Sequence, residues 1–204
     1  TVHIQGKGAH AALPHTGVDP IVVGAHLVTA WQTLVSRTTD PIDSVVLSVT
    51  KFHGGDAYNV IPDRIELGGT VRTFRADTRD RMERQFREMG ESICAGFGAS
   101  FEMRYDRCYP ATVNTGEETG YAAAAATKVV GAANVNPNTP PLMGSEDFAF
   151  MLQARPGCYM LIGNGAGEGA CMVHNPHYDF NDDILTLGAR YWVQLAQDLL
   201  PIRA

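Results

Sequence analysis

The sequence lacks a long apolar run. Its apolar stretches are short, such as Ile21-Val22-Val23, whereas a helix that crosses a bilayer needs about 20 consecutive apolar residues. It also lacks a basic segment followed by an apolar core, the pattern of a secretory signal peptide. We therefore expect no membrane partner.

Positive charge is also scarce. Among 204 residues there are 16 Lys and Arg against 22 Asp and Glu, which gives a formal net charge of -6. Nucleic acids and anionic membranes are bound by basic surfaces, so the balance argues against a nucleic-acid partner. The hydrophobic share of 45% and the charged share of 19% are typical of a soluble globular protein.

Cysteine is sparse and scattered. Cys94, Cys108, Cys158 and Cys171 contain no C-x-x-C pair, which argues against both a disulfide framework and a cysteine zinc site. Reduced thiols in a cytoplasmic protein are the simplest interpretation. No serine lies in a nucleophile elbow and no cysteine has a recognisable nucleophile setting. The sequence begins at Thr1 inside an alternating stretch, and we expect it to be the C-terminal part of a longer protein.

Residues 1–112 show a β-α-β-β-α-β order of periodic segments. Two helices are predicted, one capped by Asp19 with Pro20 at its first position, and one capped by Asp77 and ended by Gly96 and Gly98. Their expected buried stripes are Ile21, Ala25, Val28, Trp31 and Val35, and Met82, Phe86, Met89, Ile93 and Phe97. Alternation predicts strands to Gln5 and around 45–50, 65–71 and 101–105. This order is typical of a ferredoxin-like sheet with both helices on one face.

Residues 113–204 differ in character. The patterns indicate an alanine-rich helix over 119–130, a short helix after 144, an apolar strand over 158–162, a glycine loop over 163–169 and a final helix capped by Asn181 or Asp182. One strand is too little sheet for an independent α/β domain. We therefore expect this part to complete a sheet that begins elsewhere.

Seven histidines fall partly into two clusters. The first contains His10 and His15, and the second contains His174 and His177 next to Asp179 and other polar residues. Imidazoles near carboxylates suit Zn, Mn, Ni or Co. The alternative is that such loop histidines are simply solvated.

Three further polar sites are candidates for binding. Asn59 precedes the third long strand, and Arg72 lies on the polar face of that strand, where a guanidinium can clamp a carboxylate. A cross-strand salt bridge is the alternative for Arg72. Gly144, Ser145 and Glu146 form a turn that opens a helix, which is either an anion site or a plain helix start.

Five ordered motifs extend across the chain: G-K-G-A-H-A-A-L-P-H followed by D-P, N-V-I-P-D, G-T-V-R-T-F, M-G-S-E-D-F and V-H-N-P-H-Y-D-F-N-D. Together they resemble the aminoacylase and carboxypeptidase-G type of co-catalytic metallopeptidases. Within that family they are most similar to the amidohydrolase branch that includes hippurate hydrolases and plant auxin-conjugate hydrolases. Any one motif alone would be weak.

The resemblance implies an α/β (α+β) fold: a ferredoxin-like lid, residues 1–112, followed by the C-terminal remnant of an α/β metallopeptidase domain, residues 113–204. It implies a homodimer formed through the lid, an N-acyl amino acid substrate and two divalent metal ions. By the same resemblance, His10 polarises the scissile carbonyl and His174 is a metal ligand. Asn59 and Arg72 hold the substrate, and Gly144, Ser145 and Glu146 edge its pocket.

The chain departs from that family in one respect. The family's other metal ligands and catalytic base lie before the lid, and no Cys-Gly-His-Asp-x-His motif occurs here; the pair Glu117-Glu118 lies after the lid instead. We therefore expect this chain alone to bind no metal stably and to show no amidase activity. The alternative is a non-catalytic dimerisation or binding module of the same ancestry.

Overall fold

The structure is a computed structural model that describes residues 1–167 and 169–200. It divides into two compact units. Unit one comprises Thr1–Ala111 with Met143–Ser145, and unit two comprises the described residues of 112–142 and those from 146 onward. The architecture is a mixture of helices and small sheets, which agrees with the expected α/β class.

Unit one contains six strands, and four of them form an antiparallel sheet. In chain order they are β1 (Val2–Gln5), β2 (Ala9–His10), β3 (Val45–His53), β4 (Val60–Ile61), β5 (Arg64–Thr73) and β6 (Ser100–Met103). The sheet has the order β3-β5-β1-β6. The short strands β2 and β4 pair separately and antiparallel, and periodicity did not predict them.

Two long helices, α1 (Pro20–Ser36) and α2 (Ala76–Gly96), belong to unit one. The predicted start of α1 is confirmed, because Asp19 Oδ1 accepts a hydrogen bond of 2.9 Å from Ile21 N. The predicted cap of α2 is wrong. The residue that precedes α2 is Arg75, and Asp77 lies in the first turn, where its carboxylate binds Arg75 at 2.6 Å.

Both helices contribute to one core with the four-stranded sheet. Its buried members include Ile4, Leu27, Trp31, Ile65, Leu67 and Met82. The indole of Trp31 stacks on Phe86 with ring centroids 3.8 Å apart, and its Nε1 donates to the Phe86 carbonyl.

The predicted buried stripe of α1 is correct for Val28, Trp31 and Val35, which pack in or against the core, and wrong for the rest. Val23, Leu27 and Leu34 are buried with Trp31, while Ile21 and Ala25 are exposed. In α2 the stripe is correct up to Ile93, but Phe97 follows the last helical residue and is exposed.

Strand β3 contains a bulge. Its register with β5 shifts between Val49, which pairs with Gly69, and Lys51, which pairs with Gly68. Two residues of β3 thus occupy the space of one on β5. As a result, both Val49 and Phe52 face the helices: Val49 packs against the core, and the Phe52 ring lies next to Gly24 of α1.

Unit two is built on α3 (Gly116–Val130), α4 (Phe148–Ala154) and α5 (Leu185–Leu199). Ala122 and Ala125 of α3 pack with Tyr191 of α5 in a small core. Asn181 caps the 3-10 turn that leads into α5, because its side chain accepts a hydrogen bond from Asp183 N.

The predicted strand over 158–162 is not formed among the described residues. The neighbouring segment provides only isolated hydrogen bonds, such as Thr115 N to the Gly157 carbonyl, and a strand needs a continuous ladder. The glycine loop over 163–169 includes Glu168, which lies outside the described residues.

Within the described ranges, no helix combines the length and apolar character that crossing a bilayer requires.

Candidate functional site

The structure brings His10 and Asn59 together in unit one, although they are far apart in sequence. His10 pairs with Val60 in the β2–β4 ladder. The Asn59 carbonyl accepts a hydrogen bond of 3.0 Å from Ala11 N. Both residues are exposed, and the Asn59 side chain has no hydrogen-bond partner within the described part of the chain. The main chain therefore brings the positions of His10 and Asn59 close together.

Asp63 fixes the segment that leads from β1 into β2, and the sequence did not predict this role. Its carboxylate accepts a hydrogen bond of 2.7 Å from Gly8 N, and its carbonyl accepts one of 2.8 Å from Gly6 N. A Cβ on Gly8 would lie 2.9 Å from Asp63 Oδ1, so a side chain here would have to displace the carboxylate that accepts the hydrogen bond. The motifs G-K-G and N-V-I-P-D contain the two glycines and this aspartate, and they were the only sequence signal for the contact.

The ring of His10 is oriented locally. Its Nδ1 accepts a hydrogen bond of 3.1 Å from Ala12 N, which leaves Nε2 available on the exposed side.

Arg72 lies in β5 and not in the small β2–β4 pair. The residue directly opposite it is Val46, and among the described residues no carboxylate forms an ion pair with it. The cross-strand salt-bridge alternative is therefore wrong for this part of the chain. Its Nη1 donates to the Val71 carbonyl at 3.2 Å, and its other donors remain available for a carboxylate.

In unit two, Glu146 is held by a tyrosine. The hydroxyl of Tyr159 donates a hydrogen bond of 2.7 Å to Glu146 Oε2, and Asp147 N donates to Oε1 at 3.1 Å. The bond from Tyr159 is the largest cause that lowers the pKa of the Glu146 carboxyl below its ordinary value, and the Asp147 side chain is the next. The same bond raises the pKa of Tyr159.

Tyr159 is itself fixed by Asn114. The Asn114 amide donates to the Tyr159 carbonyl at 3.0 Å and accepts from Tyr159 N at 2.8 Å. The Tyr159 ring also contacts Phe148 at 5.7 Å between centroids. Neither Asn114 nor Tyr159 carries a motif, so nothing in the sequence pointed to them.

Gly144 and Ser145, which precede Glu146 in the predicted turn, are exposed. A side chain at Gly144 would meet nothing within 4 Å. Helix α4 begins only at Phe148 and has seven residues, which is too short to support the anion-site alternative.

His174 lies in an exposed loop with a φ of 70°, and it is the one non-glycine residue with positive φ among the described residues. A positive φ is uncommon for a non-glycine residue, although histidine adopts it more often than most, and such backbone strain is concentrated at functional positions. The surrounding loop is tied down by side chains. Asn164 Nδ2 donates to the Asp179 carbonyl at 2.8 Å, and Asn181 N donates to Asn164 Oδ1 at 2.8 Å.

The described residues do not fit a complete metal centre. Across residues 1–167 and 169–200, no group of three or more His, Cys, Asp or Glu side chains is close enough to hold a metal ion. A hydrolytic zinc site uses about three protein ligands, and His174 supplies one at most.

Comparison with known proteins gives consistent matches. Residues 5–198 match the family described as peptidase family M20/M25/M40. The chain is 34% identical over 194 residues to N-acetylcysteine deacetylase of Bacillus subtilis (strain 168), which covers 95% of this chain and 49% of that protein. It is 32% identical over 196 residues to hippurate hydrolase of Campylobacter jejuni, which covers 96% of this chain and 50% of that protein.

A solved structure also matches. It is a dinuclear metal-binding peptidase of the M20 family from Bacillus subtilis, with a TM-score of 0.67 and 28% identity. The match covers 100% of this chain and 51% of that one. The chain thus spans about half the length of the relatives it matches.

Proposed function

The chain belongs to peptidase family M20/M25/M40, and from this premise we propose that it is the C-terminal portion of a metal-dependent amidohydrolase. The substrate class is N-acyl amino acids, including hippurate-like ones, and the products are a carboxylic acid and a free amino acid. The names of the two relatives support this class, because N-acetylcysteine and hippurate both contain an amide between an acyl group and an amino acid.

The observation that carries the proposal is the β2–β4 pair, which exposes His10 and brings the backbone of Asn59 to the same turn. In the proposed mechanism, the Nε2–H of His10 donates to the scissile carbonyl oxygen as negative charge develops on it. A preorganised donor of this kind lowers the barrier by about 3–4 kcal/mol. Asn59 holds the substrate amide or carboxylate, and Arg72 clamps the α-carboxylate.

The remaining roles lie in unit two and in the turn before it. Gly144, Ser145 and Glu146 edge the substrate pocket, and the Tyr159 bond keeps Glu146 an acceptor. His174 is the proposed ligand for a pair of divalent ions (Zn, Mn, Ni or Co). The other ligands and the catalytic base lie outside these 204 residues, so the chain alone is inactive and retains no metal.

We further propose that residues 1–112 form a ferredoxin-like lid through which the enzyme dimerises, and that residues 113–204 belong to the catalytic domain. The sheet order β3-β5-β1-β6 supports the assignment of the lid. The intact enzyme is assigned to the cytoplasm.

The test uses the intact enzyme with its native metal and benzoylglycine as substrate. His10→Gln lowers kcat by about 10²–10³-fold and leaves the bound metal unchanged, whereas His15→Gln, in the same loop, leaves kcat near that of the parent. Equal loss of metal and activity in His10→Gln contradicts the proposed role.

A companion assay addresses the chain itself. The purified 204-residue chain with added Mn²⁺ is expected to show no benzoylglycine turnover, and measurable turnover contradicts the proposal that its ligands are incomplete. An intact protein that dimerises but hydrolyses no acyl amino acid would instead establish the non-catalytic alternative.

A further inference from the structure

Three successive backbone amides follow His10, and each has a different acceptor. Ala11 N donates to the Asn59 carbonyl at 3.0 Å, and Leu13 N donates to the His10 carbonyl at 2.8 Å. Between them, Ala12 N donates to the side chain of His10, at Nδ1, over 3.1 Å. The main chain of this turn therefore satisfies its donors and holds the ring at the same time.

The middle bond determines which ring nitrogen carries the proton. A neutral imidazole has one N–H, and a nitrogen that accepts a hydrogen bond cannot carry it. Since Nδ1 accepts from Ala12, the proton must lie on Nε2. We propose that the backbone amide of Ala12 is a positioning group that fixes His10 as the Nε2–H tautomer, with this donor directed away from the turn. The catalytic consequence of this inference rests on the proposed function.

The local sequence explains why this bond is needed. His10 is exposed, so core packing does not hold the ring. The turn itself is secured: Thr16 Oγ1 donates to the Leu13 carbonyl at 2.8 Å, and Asn59 fixes Ala11 across the β2–β4 pair. The Ala12 amide thus projects from a fixed frame onto the ring.

The resulting donor suits its proposed task. An exposed histidine normally samples both tautomers and several ring orientations, and each must be lost before it can donate to a carbonyl. A donor that is already ordered in the free protein stabilises the developing charge without first losing this conformational freedom.

The direct test is nitrogen NMR of the ¹⁵N-labelled 204-residue chain at about pH 8, above the ordinary histidine pKa of ~6.5. The ring signals that disappear in His10→Ala are those of His10. We expect an unprotonated Nδ1 and a protonated Nε2. The share of this tautomer should be larger than in the urea-unfolded chain. A tautomer mixture equal to that of the unfolded chain, or a protonated Nδ1, overturns the inference.

A matched pair of variants tests the donor itself. Ala12→Pro removes the amide N–H and is expected to return the His10 nitrogens to the unfolded mixture, while Ala12→Gly retains the N–H and the fixed tautomer. A substitution of Ala12 by lactic acid, which replaces only the N–H with oxygen, gives the same result if Ala12→Pro perturbs the fold. An unchanged tautomer in the lactic acid variant overturns the inference.

Kinetics of the intact enzyme separate this inference from the proposed function. Ala12→Pro is expected to lower kcat for benzoylglycine by up to about 10²-fold with little change in KM, and Ala12→Gly to preserve kcat. A fixed tautomer in the NMR spectrum together with full activity of both Ala12→Pro and His10→Gln refutes the oxyanion role in the proposed function and supports the positioning by Ala12. A loss of activity in His10→Gln together with an unfixed tautomer supports the oxyanion role of His10 and refutes the positioning by Ala12.

Discussion

The phenol of Tyr159 donates a 2.7 Å hydrogen bond to Glu146 Oε2, and this contact moves the two pKa values apart. The bond favours the charged carboxylate, which lowers the Glu146 pKa, and it favours the neutral phenol, which raises the Tyr159 pKa. Glu146 is therefore kept ionised at lower pH than an ordinary glutamate.

Removing the phenolic hydroxyl should reverse this effect. In Tyr159→Phe the Glu146 pKa is expected to rise toward its ordinary value, because the largest stabilising interaction of the carboxylate is lost. A carboxyl ¹³C NMR titration of the chain measures this. Tyr121→Phe is the matched control, since Tyr121 donates to Glu117 and not to Glu146. An unchanged Glu146 titration in Tyr159→Phe would contradict the bond.

Asp77 should contribute to the acid sensitivity of unit one. Its folded pKa is lowered from 3.8 to about 2, mainly by the Arg75 side chain and then by Thr78 N. A depressed carboxyl pKa contributes stability that is complete above the unfolded value and is lost as pH falls through the folded one. Asp77→Asn should therefore lower the urea midpoint above about pH 4, with a difference that shrinks as pH falls from there and vanishes below about pH 2. A difference that stays constant down to pH 2 would disprove this assignment, and Asp56→Asn provides an exposed control.

Gly90 allows α2 to approach β6. A Cβ at this position would overlap the ring of Phe101, and overpacking a core contact costs about 1–3 kcal/mol. Gly90→Ala should accordingly lower the free energy of unfolding, measured by urea denaturation. Gly96→Ala, at the end of the same helix with nothing within 4 Å of its Cβ, should be close to neutral. Equal effects of the two changes would refute the packing explanation.

Arg72 should affect substrate binding more than folding. Because no carboxylate pairs with it within the described residues, Arg72→Met is expected to leave the unfolding midpoint of the chain nearly unchanged. In the intact enzyme, loss of hydrogen bonds to a charged carboxylate worth about 1.5–3 kcal/mol should lower kcat/KM by roughly 10–100-fold. Full kcat/KM in Arg72→Met would exclude the clamp. Arg104→Met, at an exposed pair with Asp106, is the control.

His174 combines backbone strain with its proposed metal role, and the two can be separated. His174→Gly should stabilise the chain by up to about 1 kcal/mol, since glycine adopts a φ of 70° without a steric penalty. In the intact enzyme the same change should reduce bound metal, measured by elemental analysis. His177→Gly should do neither. Normal metal content in His174→Gly would contradict ligation.

Local chemistry was the most predictable part of the fold. Asp19 before Pro20 predicts the start of α1 because both the side-chain cap and the fixed φ act within one turn. The face that α1 buries was predicted only in part, because Ile21 and Leu34 are equally apolar and only the packed sheet decides between them. The strand expected over 158–162 is apolar enough, yet a strand requires a partner that the described residues do not provide.

The site shows the same division. Motifs identified His10, Asn59 and His174 by residue type, but they carried no information about the positive φ of His174 or about the bond from Ala12 to His10. Asn114 and Asp63 act through hydrogen bonds with backbone groups that are distant in sequence. Residues of this kind have no periodicity and can be found only from coordinates.

The bulge in β3 has a consequence for length variation. Outside the bulge the strand alternates, with Val49 and Phe52 toward the helices and Lys51 and His53 on the opposite side. Thr50 is the surplus residue, so its deletion would join two segments that are already in phase. Deletion of Ser48 instead would turn Val49 away from the core, and deletion of Phe52 would turn His53 toward it. Among single-residue deletions in β3, the loss of Thr50 should thus be tolerated best.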